Sequence, residues 1–389
     1  MLSRRIFQIP ESATLSISAR AKVMKAAGED VLNFSAGEPD VVTPEHIGAA
    51  AKQAIDENFS YYTPSGGIPE LREAVVAKFA RENNITTSDE RVIVANGAKE
   101  ALFLLCQTIL NEGDEVILPT PHWVSHYEQI KYAGGVPVLL KTDKNFHFTA
   151  EDIERVGTEK TKAVLLNSPS NPTGAMIHPD ELRKIAELAI ENDLIVISDE
   201  PYEHFIYDGN EHLSIGSLEG MDERAVTVNG LSKTYSMSGW RVGFATGPQE
   251  IIEGMIRLKS HLSSGTIGIA QKAAVAALNG QQDLVAEMQQ LFAKRRDLAW
   301  DGLNAVEGCS APLPEGAFYV FADFAELIER KGFEGSVELC EKLLDEVGVA
   351  LVPGEAFGDD FKTYTRFSFA ATLEDIEEGV ERIAQFAQE

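Results

Sequence analysis

The sequence predicts an α/β protein: a large domain on a mostly parallel, helix-covered sheet, and a smaller α+β domain formed from the N- and C-terminal segments. Three observations carry this. Short apolar runs alternate with helix-period segments from Val92 to Ser198, the pattern of repeated βα units. The character changes after Glu315-Gly316-Ala317-Phe318-Tyr319-Val320, where strand, helix (Ser336 to Val347), strand (Val349 to Val352), glycine-rich turn, strand (Tyr364 to Ala370) and helix (Leu373 to Ala387) follow. A length of 389 residues also exceeds the size at which one core keeps growing. The expected division is an N-terminal segment, 1–43, packing with the small domain, a large domain, 44–285, and a small C-terminal domain, 286–389.

Taken in order, residues 12–29 carry a mixed helical pattern through Leu15, Ile17, Ala21, Val23, Met24 and Ala26, ended by Gly28. Val31 to Ser35 reads as a short buried strand running into Ala36-Gly37-Glu38-Pro39-Asp40, where glycine lets the backbone approach a ligand. A helix from Pro44 to Asn58 has proline in its first turn. The aromatic loop Tyr61 to Pro69, which contains Tyr62, precedes a helix from about Glu70 to Asn83. Strand Val92 to Ala95 turns through Asn96-Gly97-Ala98-Lys99 into the helix Glu100 to Leu110. A sheet presents backbone N–H groups to a phosphate in this way, although an ordinary βα connection has the same length.

The alternation continues with strands at Glu115 to Leu118, Val136 to Leu140, Ala163 to Asn167 and Leu194 to Ser198. Between them lie an aromatic loop, Pro121-His122-Trp123, and helices at Tyr127 to Ala133, Ala150 to Val156 and Pro179 to Glu191. Gly247-Pro248-Gln249-Glu250 starts a further helix, Ser263-Ser264-Gly265-Thr266 breaks the pattern, and a long helical region runs from Ile269 to about Val306.

Composition narrows the function. With 34 basic against 61 acidic residues the formal charge is −27, so the long-range field repels nucleic acid and anionic membranes. Any anion bound must meet local positive charge, which makes arginines in motifs informative. Three scattered cysteines, Cys106, Cys309 and Cys340, without a Cys-x-x-Cys pair exclude a disulfide scaffold and the usual cysteine zinc sites. They fit a reducing cytoplasm. The first ten residues lack an apolar core of signal-peptide length, and no run approaches a membrane span.

The chemistry centres on Asn229-Gly230-Leu231-Ser232-Lys233-Thr234-Tyr235-Ser236-Met237-Ser238-Gly239-Trp240-Arg241-Val242-Gly243. A lysine at the end of a buried strand is desolvated, which lowers its pKa and exposes an amine able to form a Schiff base with an aldehyde. Arg241 follows across a turn, where a guanidinium can grip a phosphate bidentately. An aldehyde that carries a phosphate is pyridoxal phosphate. Asp199, closing the apolar run Ile195 to Ser198, would need a cationic partner if buried, and a protonated pyridine nitrogen is one. Arg366 interrupts the alternating strand Tyr364 to Phe369 and suits a substrate carboxylate.

Each of these residues has a plainer use. Lys233 could be a solvated surface lysine, Asp199 a helix cap, Asn171 a turn residue, Tyr202 part of the core, Trp123 packing and Arg366 a charge blunting an edge strand.

Together, Ser35 to Asp40, Asn167-Ser168-Pro169-Ser170-Asn171-Pro172-Thr173-Gly174, Asp199-Glu200-Pro201-Tyr202, Ser232-Lys233 to Gly243 and Arg366-Phe367-Ser368 resemble the fold-type I, class I pyridoxal-phosphate aminotransferases, in their bacterial and archaeal aspartate aminotransferase branch. The resemblance runs nearly end to end. It implies that Lys233 holds the cofactor as a Schiff base and shuttles the proton between substrate Cα and cofactor C4′. Asp199 would pair with the pyridine nitrogen, Tyr202 and Asn171 would hydrogen-bond O3′, and Trp123 would stack on the ring. Gly97, Ala98, Lys99, Ser232 and Arg241 would hold the phosphate, with Tyr62 reaching it from the other subunit of a homodimer. Arg366 would clamp the substrate α-carboxylate, helped by Asn171, Trp123 and the backbone of Gly37.

The implied reaction is ping-pong exchange of an amino group between an L-amino acid, foremost aspartate or glutamate, and 2-oxoglutarate or oxaloacetate. An aromatic or alanine-type aminotransferase is the neighbouring alternative, and a C–S β-lyase uses nearly the same residues. Many aspartate-using relatives carry Lys-Pro-Ser-Ala-Thr near the N-terminus. Here Pro10-Glu11-Ser12-Ala13-Thr14 stands in its place, which leaves room for aromatic or neutral donors. A DNA-binding regulator with an aminotransferase-like domain would need an extra segment and a less acidic chain. No G-x-G-x-x-G follows the first strand, against a Rossmann nucleotide binder.

Overall fold

The computed structural model describes Ile6 and residues 13–389. Helix α1 (Ala13–Ala26) and the two-residue strand β1 (Leu32–Asn33) lead to helices α2 (Glu45–Asp56) and α3 (Pro69–Glu82). Then β2 (Val92–Ala95), α4 (Ala98–Ile109), β3 (Glu115–Thr120), α5 (Val124–Tyr132), β4 (Val136–Lys141), α6 (Ala150–Val156), β5 (Thr161–Asn167) and α7 (Pro179–Glu191) alternate. Strands β6 (Ile195–Asp199) and β7 (Ala225–Gly230), the single turn α8 (Leu231–Thr234) and β8 (Gly243–Thr246) complete one sheet. Helices α9 (Gln249–Leu262), α10 (Gly268–Asn279) and α11 (Asp283–Ala305) follow. The chain ends in β9 (Tyr319–Asp323), α12 (Ala325–Lys331), α13 (Ser336–Val347), β10 (Val349–Ala350), β11 (Val352–Pro353), β12 (Tyr364–Ser368) and α14 (Leu373–Gln388).

The large sheet has seven strands in the order β2-β8-β7-β6-β5-β3-β4. Strands β7, β6, β5, β3 and β4 run parallel to one another; the apolar runs of β7, β6, β5 and β3 are buried, as expected where helices cover both faces, while edge strand β4 exposes Val136 and Leu139. Apolar clusters on the sheet's two faces join α4, α5 and α9 to one side and α6 and α7 to the other. A second, three-stranded antiparallel sheet has the order β11-β12-β9. Near it β1 pairs in parallel with β10, Leu32 opposite Val349, so the N-terminal segment is stitched to the C-terminal part of the chain.

Two expectations need correction. The stretch after Arg241, to which the sequence pattern assigns no strand, forms β8 from Gly243 to Thr246, antiparallel to both β2 and β7. Glycine is required there, because a Cβ on Gly243 would lie 2.2 Å from the backbone nitrogen of Ala98. The long helical region is two helices, parted at Gly280, whose backbone turns extended at φ −83°, ψ −164°. The first helix begins at Ala13; Pro10, Glu11 and Ser12 lie outside the described residues.

Behind the ends of β6 and α3 sits a buried polar network. Lys78, 3% exposed, donates to Glu203 and, at 2.7 Å, to Asn83 Oδ1. Asn83 Nδ2 in turn donates to Glu203 Oε2 at 2.6 Å. Burial raises the Glu203 carboxyl, but Lys78, His204 and His212 together outweigh it and bring the group down to about 2. Removing one partner of a buried pair strands the other charge, at a cost of about 3–5 kcal/mol. Lys78→Met should therefore lower stability by that amount in a urea titration; an unchanged midpoint would show that the pair is dispensable.

Candidate active site

The carboxyl ends of β5, β6 and β7 open into one cavity of about 440 Å³, where open α/β sheets place their ligands. Gly37, Ala98, Lys99, Trp123, Asn171, Asp199, Tyr202, Ser232, Lys233, Arg241 and Arg366 all line it. Gly97 stands directly behind.

Strand β7 ends at Gly230 and α8 carries Lys233 over the sheet end, where its Nζ donates to the carbonyl of Gly37. Burial brings the Lys233 ammonium down to about 8, against the pull of Glu38 and helped by Arg366, Arg241 and Lys99. This is not a solvated surface lysine. Asp199 closes β6, in register with Asn167 on β5. Its Oδ2 lies 2.9 Å from His126 Nε2, while its buried Oδ1 has no hydrogen-bond partner among the described residues. Trp123 precedes α5 and meets the His126 ring edge-on, 5.1 Å between centroids. Helix α5 thereby positions both residues against the sheet end.

Gly97 has φ +87°, and a Cβ there would lie 2.5 Å from Arg241 Nη2. Its glycine lets the N-terminus of α4 and the Arg241 guanidinium close on one spot. Arg241 is itself left-handed, φ 56°, a conformation costly for a side-chain-bearing residue and found where the surroundings impose it. Its guanidinium is held by the carbonyls of Ser238 (2.9 Å) and Asn96 (3.2 Å). Lys99 Nζ sits 4.8 Å from the Trp123 ring centre, and burial, then Arg241, lower its pKa.

Arg366 is not an edge-strand charge. It lies on β12, the central strand of the small sheet, between Val352 and Phe321, and is only 3% exposed. Nη1 donates to Asn171 Oδ1 at 2.9 Å and Nη2 to the carbonyl of Ser35 at 2.8 Å, while the guanidinium lies over the Tyr319 ring, 4.4 Å from its centre. Asn171 is thus more than a turn residue: its backbone N–H donates to Asn167 Oδ1 (2.9 Å) and its side chain receives Arg366. The Tyr202 hydroxyl shares a 2.8 Å hydrogen bond with that of Tyr319, and a Cβ on Gly37 would meet the Tyr319 hydroxyl at 2.7 Å. Tyr62 is apart from this cavity and 97% exposed in the single chain.

Sequence reasoning missed His126, Tyr319 and the tethering role of Asn167. A faint signal existed for each: His126 stands one helical turn after Trp123, Tyr319 ends the run Gly316-Ala317-Phe318-Tyr319, and Asn167 opens the Asn167 to Gly174 motif.

A model of the family described as aminotransferase class I and II matches residues 29–383. The chain belongs to this family. It is 44% identical to an aspartate aminotransferase of Bacillus sp. (strain YM-2), over all of this chain and 99% of that one. Among solved structures, the aspartate aminotransferase from Thermus thermophilus with maleate superimposes at a TM-score of 0.93, with 41% identity and 99% of each chain covered. The aromatic aminotransferase from Pyrococcus horikoshii OT3 gives 0.88 at 40% identity, covering 96% of this chain and 98% of that one. Aminotransferases of this family are pyridoxal-phosphate enzymes. The cavity fits that group on three counts: an orphaned buried carboxylate oxygen on Asp199, a low-pKa lysine, and a glycine-floored cradle with two cations beside it.

Because only the neutral amine is nucleophilic and burial brings Lys233 to about 8, capture of pyridoxal phosphate by the cofactor-free aminotransferase should accelerate about tenfold per pH unit below 8 and level off above it. Borohydride trapping at pH 6.5 to 10 measures this. A rate still climbing towards pH 10, as for an ordinary lysine, would contradict the burial argument.

Proposed function

We propose that this aminotransferase exchanges the amino group of aspartate or glutamate with 2-oxoglutarate or oxaloacetate, using pyridoxal 5′-phosphate held in the cavity. The supporting observation is the convergence on one cavity of a buried lysine at about 8, a carboxylate with one free buried oxygen, and a buried arginine. Bound pyridoxal phosphate supplies an electron sink for the charge left on the substrate Cα.

The chain's own residues do the rest. Lys233 would anchor the cofactor and, once displaced by the incoming amine, would move the proton at Cα. Asp199 would accept the pyridine N–H on the oxygen that has no partner among the described residues, with His126 fixing the carboxylate from the other side. Tyr202 and Asn171 would hydrogen-bond the ring oxygen O3′, and Trp123 would cover the ring face. The backbone N–H groups at Gly97, Ala98 and Lys99, with Ser232 and Arg241, would take the phosphate at the N-terminus of α4, where dipole and donors favour an anion. Arg366 would grip the substrate α-carboxylate with help from Asn171 and the backbone of Gly37.

Aspartate and glutamate rank first because several relatives that match over the whole chain are named aspartate aminotransferases. An aromatic donor is the second reading. It is favoured by the aromatic aminotransferase of similar structure and by Pro10-Glu11 where many aspartate-using relatives carry lysine and proline. The pairing of β1 with β10 supports the division into 1–43, 44–285 and 286–389. Three free thiols, as a reducing compartment preserves them, support a cytoplasmic setting.

An absorbance scan of the purified holoenzyme tests the reading. The visible cofactor band should bleach on adding aspartate or glutamate and be absent in Lys233→Ala; bleaching by tyrosine alone would shift the assignment to the aromatic class, and no band after cofactor addition would end it. Arg366→Ala should lower kcat/KM by about 2–5 kcal/mol, the cost of truncating a buried charge partner, and Arg366→Lys should not restore it because the bidentate fork is lost. We also assign the exposed Tyr62 to the phosphate of a second copy. Sedimentation should then give a dimer, and Tyr62→Phe should raise the cofactor's dissociation constant; a fully active monomer would refute this.

A further inference from the structure

Away from the cavity, three segments distant in sequence bring His147, His178 and Glu315 together. Their donor atoms all lie within 4.8 Å of one another. His147 Nε2 stands 2.9 Å from Glu315 Oε2, and His178 Nε2 3.2 Å from Glu315 Oε1. Backbone hydrogen bonds hold each segment in place, two of them running between the His178 and Glu315 segments. The backbone N–H of His147 donates to Asp143 Oδ1 at 2.9 Å, that of Glu315 to the carbonyl of Gly174 at 2.9 Å, and that of Met176 to Glu315 Oε2 at 2.8 Å. The imidazoles meet at 61°, so their Nε2 atoms converge without stacking.

A simple ion pair needs one imidazole; here both turn the same nitrogen on one carboxylate. At zinc bond lengths near 2.0–2.2 Å, neighbouring ligand atoms of a tetrahedron lie about 3.3 Å apart, so small side-chain shifts convert the cluster into a coordination face. The side chains are 34%, 54% and 22% exposed, which leaves the remaining position open to water. Two imidazoles with one carboxylate suit zinc and its neighbours rather than calcium or magnesium, which take oxygen ligands.

We infer that His147, His178 and Glu315 form a site for a divalent transition-metal ion of the zinc class. The ion ties the loop before α6 to the chain on either side of the small lobe's entry. Two of the tied segments continue directly into residues of the cavity: Met176 to His178 follow Asn171, and Glu315 precedes Tyr319. The ion would clip these three segments together.

The test uses the cofactor-loaded enzyme, stripped with chelator, dialysed and titrated with zinc chloride by calorimetry, with bound zinc counted by elemental analysis. Wild type should take up one zinc per chain and melt at higher temperature with zinc, while magnesium and calcium produce neither effect. His178→Ala, at a half-exposed position, and His147→Ala should each weaken binding at least about tenfold. His204→Gln, in a separate His–Glu cluster, should leave it intact. Absence of zinc uptake by wild type, or wild-type uptake by both histidine variants, overturns the assignment, as does loss of uptake in His204→Gln alone.

Discussion

A guanidinium cannot shed its charge, so burying Arg366 obliges the surrounding chain to answer it. It is answered by parts that share no local sequence: the Ser35 carbonyl from the N-terminal segment, Asn171 from the loop after β5, and the faces of Tyr319 and Phe357. One side chain thus joins the large sheet to the small one across the cavity. Arg366 Nε remains buried and unpartnered among the described residues, a spare donor available to the proposed carboxylate clamp. Burial lowers the group's pKa, with Tyr319 and Tyr202 opposing, but an arginine starts so high that it stays charged.

The same confinement governs the amines. In a chain of formal charge −27, the cavity nevertheless collects Lys99, Lys233, Arg241 and Arg366. Desolvation is the leading cause of the shifts at both Lys233 and Lys99, and cationic neighbours add to it. Gathering positive charge therefore has two effects of one origin. It draws anions inward from an acidic exterior, and it keeps a lysine close to neutrality.

Local patterns were legible and non-local ones were not. The βα alternation, the Asn96 to Lys99 turn and the residues around Lys233 could be placed because apolar runs and small-residue turns are written in adjacent positions. Arg366 could be put on a strand, but whether that strand was edge or centre depended on β9 and β11, which arrive from elsewhere in the chain. Strand β8 escaped notice because it is four residues long, opens with glycine and runs against its neighbours. His126 and Tyr319 look like ordinary helix and core residues until Asp199 and Tyr202 are placed beside them. Tyr62 shows its exposure only in three dimensions.

The antiparallel insertion of β8 also has a mechanical meaning. Residues 231–242 connect two strands that lie side by side in the middle of the sheet, with Gly230 paired to Gly243 at the point where the loop begins and ends. A loop pinned at both roots by a central ladder cannot fray as a terminus or a surface lid does, since opening it means unzipping β7 from β8. The lysine is thus mounted on a loop whose two roots are fixed by the sheet. The loop serves as the fixed anvil of the cavity, which α1 lines from elsewhere in the chain with Ser18 and Lys22.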